Sequence, residues 1–163
     1  MKVKLLFDNQ ELEVEITEEE LKKLKANPKT GYERVSAQRK YYFCDIDGEV
    51  DWSCENNHIE DDKFYNTANY YSNEHLAIDN ARADKLMRQL RRFAVEHREN
   101  SIQTQWYEIY CKRDRKEFLI SEFDEHMKYL GALAFGSKEA AQLAIDTFHD
   151  ELIWYFTEYK DSL

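Results

Sequence analysis

The densest chemistry in this sequence is a run of carboxylates. Asp45, Asp47, Glu49, Asp51, Glu55, Glu60, Asp61 and Asp62 fall in one stretch, and no Lys or Arg lies between residues 45 and 62. Residues two apart on a strand share a face and lie about 7 Å apart. Asp45 and Asp47 are therefore expected to project a row of charge, which Asp51 extends across a hairpin. Such a row imitates the spaced charges of a nucleic-acid backbone and suits a basic groove on a partner protein. Electrostatic steering speeds an encounter of that kind and makes it salt-sensitive. The plainer alternative is a solvated hairpin face with a polar loop. Charge reversal at Asp45, Asp47 and Asp51 separates the two.

The other chemistries these residues suggest are poorly supported. Asp45, Asp47 and Gly48 match the third, fifth and sixth positions of a calcium loop, but its first and twelfth positions would be Phe43 and Cys54, which carry no carboxylate. Cys44, Cys54 and His58, even with Cys111, show none of the close ligand pairs of a zinc site. Cys44 and Cys111 sit in strand contexts, where Cys usually acts as a small hydrophobe. The histidines are His58, His75, His97, His126 and His149, and no zinc-protease, nucleophile-elbow or phosphate-loop motif is present. His126 follows Glu122, Asp124 and Glu125, an arrangement open to acid–base work, but any acidic loop holding a histidine looks the same. We expect no enzyme, no metal and no cofactor.

A second charged feature has the opposite sign. Arg82, Lys85, Arg88, Arg91, Arg92 and Arg98 crowd one segment, and Lys85, Arg88 and Arg92 fall near one another at helical spacing. This alternative basic face suits nucleic-acid phosphate or an acidic patch. Cations late in a helix also complement its dipole. With both patches in play the molecule is bipolar, which favours a homodimer.

Local patterns give the elements that hold these residues. Val3, Leu5 and Phe7 alternate on one strand and Leu12, Val14 and Ile16 on the next, with Asp8-Asn9 as the turn and Lys set opposite Glu on the other face. Thr17 and Glu20 form a capping box for a helix carrying Leu21 and Leu24, which Asn27-Pro28 stops. Residues 1–30 thus read as a ββα module, and residues 28–38 as a linker. Residues 41–46 and 50–53 form a hairpin around Asp47-Gly48, taken as a two-residue turn with both residues at positive φ. Residues 55–63 read as a loop and Phe64–Tyr71 as extended. Asn73 caps a helix over about 74–98.

A second set follows in the same order. Strands fall at 106–111 and 118–120, an extended segment at 129–135, and Ser137 caps a helix bearing Ala140, Ala141, Ala144, Ile145 and Phe148. A last amphipathic stretch holds Trp154, Tyr155, Phe156 and Tyr159, expected to pack on the sheet. Tyr71-Ser72-Asn73-Glu74 and Phe135-Gly136-Ser137-Lys138 correspond at a spacing of 64 residues (135 − 71). The fold class is α+β: two pseudo-repeated antiparallel ββ(β)α units, residues 39–100 and 101–163, in one compact domain spanning 39–163, behind the N-terminal hairpin–helix module.

Composition bounds the function. The chain has 163 residues with a net charge of −10, so a uniformly basic nucleic-acid binder is excluded. Only 4 Gly and 1 Pro argue against glycine-rich phosphate loops, while 11 Tyr, 9 Phe and 3 Trp supply a core and leave aromatics for an interface. No apolar run approaches a membrane span, and no secretory signal opens the sequence. Three cysteines, an odd number, fit reduced thiols.

The stretches YYFCDIDGEVDWS (41–53), NYYSNE (69–74) and the segments at 129–131 and 135–141 together resemble a widespread group of small phage- and prophage-encoded proteins. The resemblance covers roughly residues 39–159 and rests on an aromatic strand, Asp-Gly-Glu-Val, an Asn-aromatic-aromatic segment and a capped helix in two copies. It implies a mobile-element accessory protein in the bacterial cytoplasm. By analogy it implies an anti-CRISPR-type inhibitor of a host defence nuclease, Cas9 foremost, that works by occupying a nucleic-acid groove. Asn73 departs from the group's usual Thr or Ser cap.

Overall fold

The computed structural model describes residues 2–7, 10–15, 17, 19, 30–98, 105–124 and 133–159. Strands β1 (Lys2–Phe7) and β2 (Gln10–Glu15) pair antiparallel, with Val3 opposite Val14, Leu5 opposite Leu12, Lys2 opposite Glu15 and Lys4 opposite Glu13. The alternation in the sequence dictates this register, because a slip of one residue would exchange the two faces. The Asp8-Asn9 turn, Glu20 of the expected capping box and residues 20–29, where the helix is expected, lie outside the described residues, as do His126 and the segment 129–132.

Two units follow, built alike. In the first, β3 (Lys40–Cys44) pairs with β4 (Val50–Cys54), and helices α1 (Ile59–Asn66) and α2 (Glu74–Glu96) come after. In the second, β5 (Gln105–Lys112) pairs with β6 (Glu117–Asp124), and α3 (Lys138–Thr147) and α4 (His149–Thr157) come after. Together with the first hairpin this is an α+β fold.

The duplication is carried by backbone hydrogen bonds at matched positions. Tyr42 and Tyr71 exchange N–H···O bonds of 2.8 and 2.9 Å, while Tyr107 and Phe135 exchange bonds of 3.0 and 2.8 Å. In each unit a short extended segment adds to the open edge of the first strand and then turns into a capped helix. The side chain of Asn73 accepts from the N–H of Leu76, and that of Ser137 from the N–H of Ala140, both at 3.1 Å. One turn later Ala77 and Ala141 are both fully buried, where a larger side chain would hold the helix off the sheet.

The units differ in two ways. Helix α2 runs unbroken, whereas its counterpart is interrupted at Phe148, which caps α3 and begins α4. Phe148 sits edge-on to Phe93 of α2. The first unit also carries α1 where a loop and an extended run are expected from the sequence. Phe64 of α1 stacks on Phe43 of β3 at 4.2 Å, so the sheet face opposite α2 is covered by a helix. Asp61, the third residue of α1, accepts the N–H of His58 and starts that helix as one arm of a capping box.

Leu86 and Leu90, in the second half of α2, pack with Phe135, Ala140, Ala141, Ala144, Ile145 and Leu152 of the second unit. Helix α2 is thus shared, and it ties the two units together. The terminal aromatics divide between surfaces. Phe156 meets Phe118 of β6 as expected, whereas Trp154 turns toward α2 beneath the Arg82 guanidinium, 3.9 Å from it, and the Tyr159 hydroxyl donates to Asn80.

Candidate functional site

The acidic stretch is divided by the fold between a buried network and an exposed surface. Glu55 is 1% exposed, and Asp61 is buried as well. Both leave the expected partner-binding surface, because their oxygens are already used. Glu55 accepts a two-pronged pair of bonds from Arg34, at 2.8 and 2.9 Å, a third from the Tyr70 hydroxyl at 2.9 Å, and a fourth from the N–H of Asn57 at 2.8 Å. The Arg34 hydrogen bonds hold the Glu55 carboxyl below the usual carboxylate range. Asp61 accepts from the Tyr41 hydroxyl at 2.8 Å and from the N–H groups of Asn56 and His58, each at 2.9 Å. Burial pushes the Asp61 carboxyl up, but these donors outweigh it and leave it lowered. Tyr41 is pushed up to about 12, first by burial and then by Asp61. These phenols stay protonated as donors.

The network fastens the linker to the first unit. Arg34 reaches Glu55 with one edge of its fork and Asp62 with another nitrogen at 2.6 Å. Asp62 is therefore exposed but paired. Upstream, Glu33 accepts from Gly31 and Thr30 and from the Ser72 hydroxyl, and the Thr30 backbone N–H is the main cause that holds it down to about 2.

The Asn-aromatic-aromatic segment has a structural role throughout. The Asn69 side chain accepts from the N–H of Cys44 at 2.8 Å and donates to its carbonyl at 2.7 Å, completing the edge of β3 as a strand backbone would. Tyr70 stacks on Tyr41 at 4.1 Å, and Tyr71 makes the bridge to Tyr42.

The expected row of charge on a strand is absent, because Asp45 and Asp47 lie in a loop. Cys44 pairs with Val50, leaving residues 45–49 to connect the strands. The N–H of Gly48 donates to the carbonyl of Asp45, and that of Asp45 to the carbonyl of Glu49. Gly48 has φ +86°, and Asp47 is not at positive φ. This is a type I turn closed by a glycine bulge, not a two-residue turn. The Asp45 carboxylate accepts from the N–H groups of Asp47 and Glu49, at 2.9 and 3.0 Å. Asp45 thereby organises the loop, and reversing its charge would disturb the fold as well as any interface.

Asp47, Glu49, Asp51 and Glu60 remain exposed. Glu49 lies 3.9 Å from Lys85 of α2, and the Arg88 guanidinium sits over Gly48, 3.5 Å from where a Cβ would stand. Acidic hairpin and basic helix are therefore neighbours on one composite surface and not two separate poles. Arg92 pairs with Glu96 one turn on. Of the alternative basic face Lys85, Arg88 and Arg92, Arg88 alone makes no ion pair among the described residues.

Among the described residues no three His, Cys, Asp or Glu side chains gather as a metal-ligand set. Burial raises the Cys44 and Cys111 thiols above their ordinary value. A cleft of about 820 Å³ between the linker and the β3 edge is lined by Glu33, Arg34, Arg39, Lys40 and Ser72, charges of both signs. No helix of the described residues is long and apolar enough to cross a membrane. Compared with protein-family models, curated proteins and solved structures, the chain matches none.

Proposed function

We propose that this protein is a phage- or prophage-encoded binding module, not a catalyst, acting in the bacterial cytoplasm. Its acidic surface docks in the basic nucleic-acid groove of a host defence nuclease, with Cas9 as the expected target. The observation that carries this reading is the set of exposed carboxylates Asp47, Glu49, Asp51 and Glu60 in a stretch free of Lys and Arg. Fixed negative charge on a preorganised loop steers encounter with a cationic groove and is screened by salt.

The test is binding to guide-free Cas9 at low and high salt, with Asp47→Lys, Glu49→Lys and Asp51→Lys combined. Asp45 is left intact to preserve the loop. The expected result is binding that weakens with salt, competes with guide RNA and falls at least tenfold in the triple variant. Unchanged binding by that variant overturns the surface.

A second reading draws on Arg88, exposed and without an ion pair among the described residues. It makes α2 a nucleic-acid contact and predicts DNA or RNA retention that is lost when Arg88 and Arg92 become Ala.

A further inference from the structure

We infer that the cleft between the linker and the edge of β3 is a binding site for a small phosphorylated molecule, with Arg39 and Lys40 as its anion contacts. It is separate from the acidic surface proposed above. Lys40 begins β3, whereas the acidic loop follows Cys44 at the other end of that strand.

The cleft encloses about 820 Å³, within the roughly 300–1,000 Å³ of small-molecule sites. Its walls offer donors and little free acceptor. Glu33 is the one carboxylate among the described residues that line it, and both oxygens of Glu33 are used. One accepts the N–H and the hydroxyl of Thr30, and the other accepts the Gly31 N–H at 3.0 Å and the Ser72 hydroxyl at 3.2 Å. Arg34 is committed to Glu55 and Asp62. Arg39 and Lys40 are different. Neither forms an ion pair among the described residues, and the hydroxyl of Tyr42, which lines the same cleft, has no hydrogen-bond partner among them. Lys40 lies instead over the Trp52 ring, 3.6 Å from its centre. Two uncommitted cations and a hydroxyl, beside a carboxylate with no lone pair to spare, select an anion with several acceptor oxygens. A phosphoryl group meets that demand, because the guanidinium fork of Arg matches two of its oxygens and Lys adds a point charge.

The turn that carries Arg39 breaks a local rule. The carbonyl of Ser36 accepts the N–H of Arg39 at 3.1 Å, so residues 36–39 form a β-turn. Gln38, its third residue, has φ +64°, the left-handed conformation in which Gly or Asn is favoured. The backbone of Glu55 clamps it in place. The Gln38 N–H donates to the Glu55 carbonyl at 2.7 Å, and the Glu55 N–H donates to the Arg39 carbonyl at 2.9 Å. Non-glycine residues held in this region persist only where their surroundings impose it, and they cluster at ligand sites. Here the clamp fixes the backbone of Arg39 beside Lys40 at the cleft. A preorganised backbone under both cations lowers the cost of binding.

Titration of the full chain with inorganic pyrophosphate tests the site, followed by calorimetry and tryptophan emission against sodium chloride of matched ionic strength. The expected result is saturable binding at a single site per chain, with a change in emission as the anion draws Lys40 off the Trp52 ring. Trp52→Phe should remove the emission change and keep the heat. Arg39→Ala and Lys40→Ala should each weaken binding roughly tenfold or more, the loss of one charged hydrogen-bond partner. Both side chains are exposed and free of ion pairs among the described residues, so both variants should keep the wild-type urea midpoint. Arg91→Ala, which removes an exposed cation of α2, should bind as wild type does. A wild-type chain that gives no saturable heat with millimolar pyrophosphate overturns the site. So does wild-type affinity in Arg39→Ala, or an equal loss in Arg91→Ala. None of these outcomes bears on the acidic surface, which has its own test in the charge-reversed triple variant.

Discussion

Replacing Glu55 by Ala tests whether the fold depends on a carboxylate that composition alone would place on the surface. Glu55 is 1% exposed and takes four hydrogen bonds, two of them from Arg34. Removing one partner of a buried ion pair costs about 3–5 kcal/mol, because the groups left behind lose both partner and water. Arg34 is 31% exposed and still reaches Asp62, so it rehydrates in part. Tyr70 cannot, being 1% exposed. The low end, about 3 kcal/mol, is therefore expected, against about 5–15 kcal/mol for a whole domain. With a urea dependence of about 2 kcal/mol/M, that loss moves the midpoint down by about 1.5 M. Glu55→Gln keeps an acceptor for Tyr70 and should cost less than Glu55→Ala. Glu60→Ala, whose side chain is 73% exposed, should stay within about 0.5 kcal/mol of wild type. Urea titrations followed by far-ultraviolet circular dichroism give all three numbers. A Glu55→Ala midpoint equal to that of Glu60→Ala would refute the reasoning.

The same network sets the response to acid. Glu55 and Asp61 titrate below their unfolded values, so the unfolded chain binds more protons and their contribution is fully present above about pH 5. That contribution is lost as pH falls through the folded values, and urea midpoints measured from pH 7 to pH 3 should drop steadily in wild type and less in Glu55→Gln. Asn69→Ala strips the N–H and carbonyl of Cys44 of their side-chain partner and should cost about 1–3 kcal/mol, with faster amide exchange at Cys44 as its local signature. Wild-type exchange at that amide would mean water replaces the Asn69 side chain at no cost.

Several elements were legible because their cause is local. Asn73 and Ser137 precede apolar helical runs and have short side chains that accept a backbone N–H, and both cap helices as expected. The paired alternation of β1 and β2 fixes their register. Helix α1 was missed because it shows little amphipathic pattern. Its Ile59 and Tyr65 are exposed, and its buried residue is an aspartate. The available signal was the acidic first turn, Glu60, Asp61 and Asp62, with Asp61 three residues after His58, the spacing of a capping box.

The sequence by itself determined the α+β class, the hairpins, the two side-chain-capped helices and the two copies at a 64-residue spacing, because caps, alternation and helical periodicity act over a few residues. It also supplied eight carboxylates between residues 45 and 62, but not their division. Only the tertiary structure made Glu55 and Asp61 internal, through Arg34, Tyr70 and Tyr41, which lie 21, 15 and 20 residues away. Only it set Glu49 beside Lys85 and the Arg88 guanidinium over Gly48. A carboxylate carries the same charge wherever it stands in the chain. Whether that charge faces water or a guanidinium is decided by which distant segments fold against it.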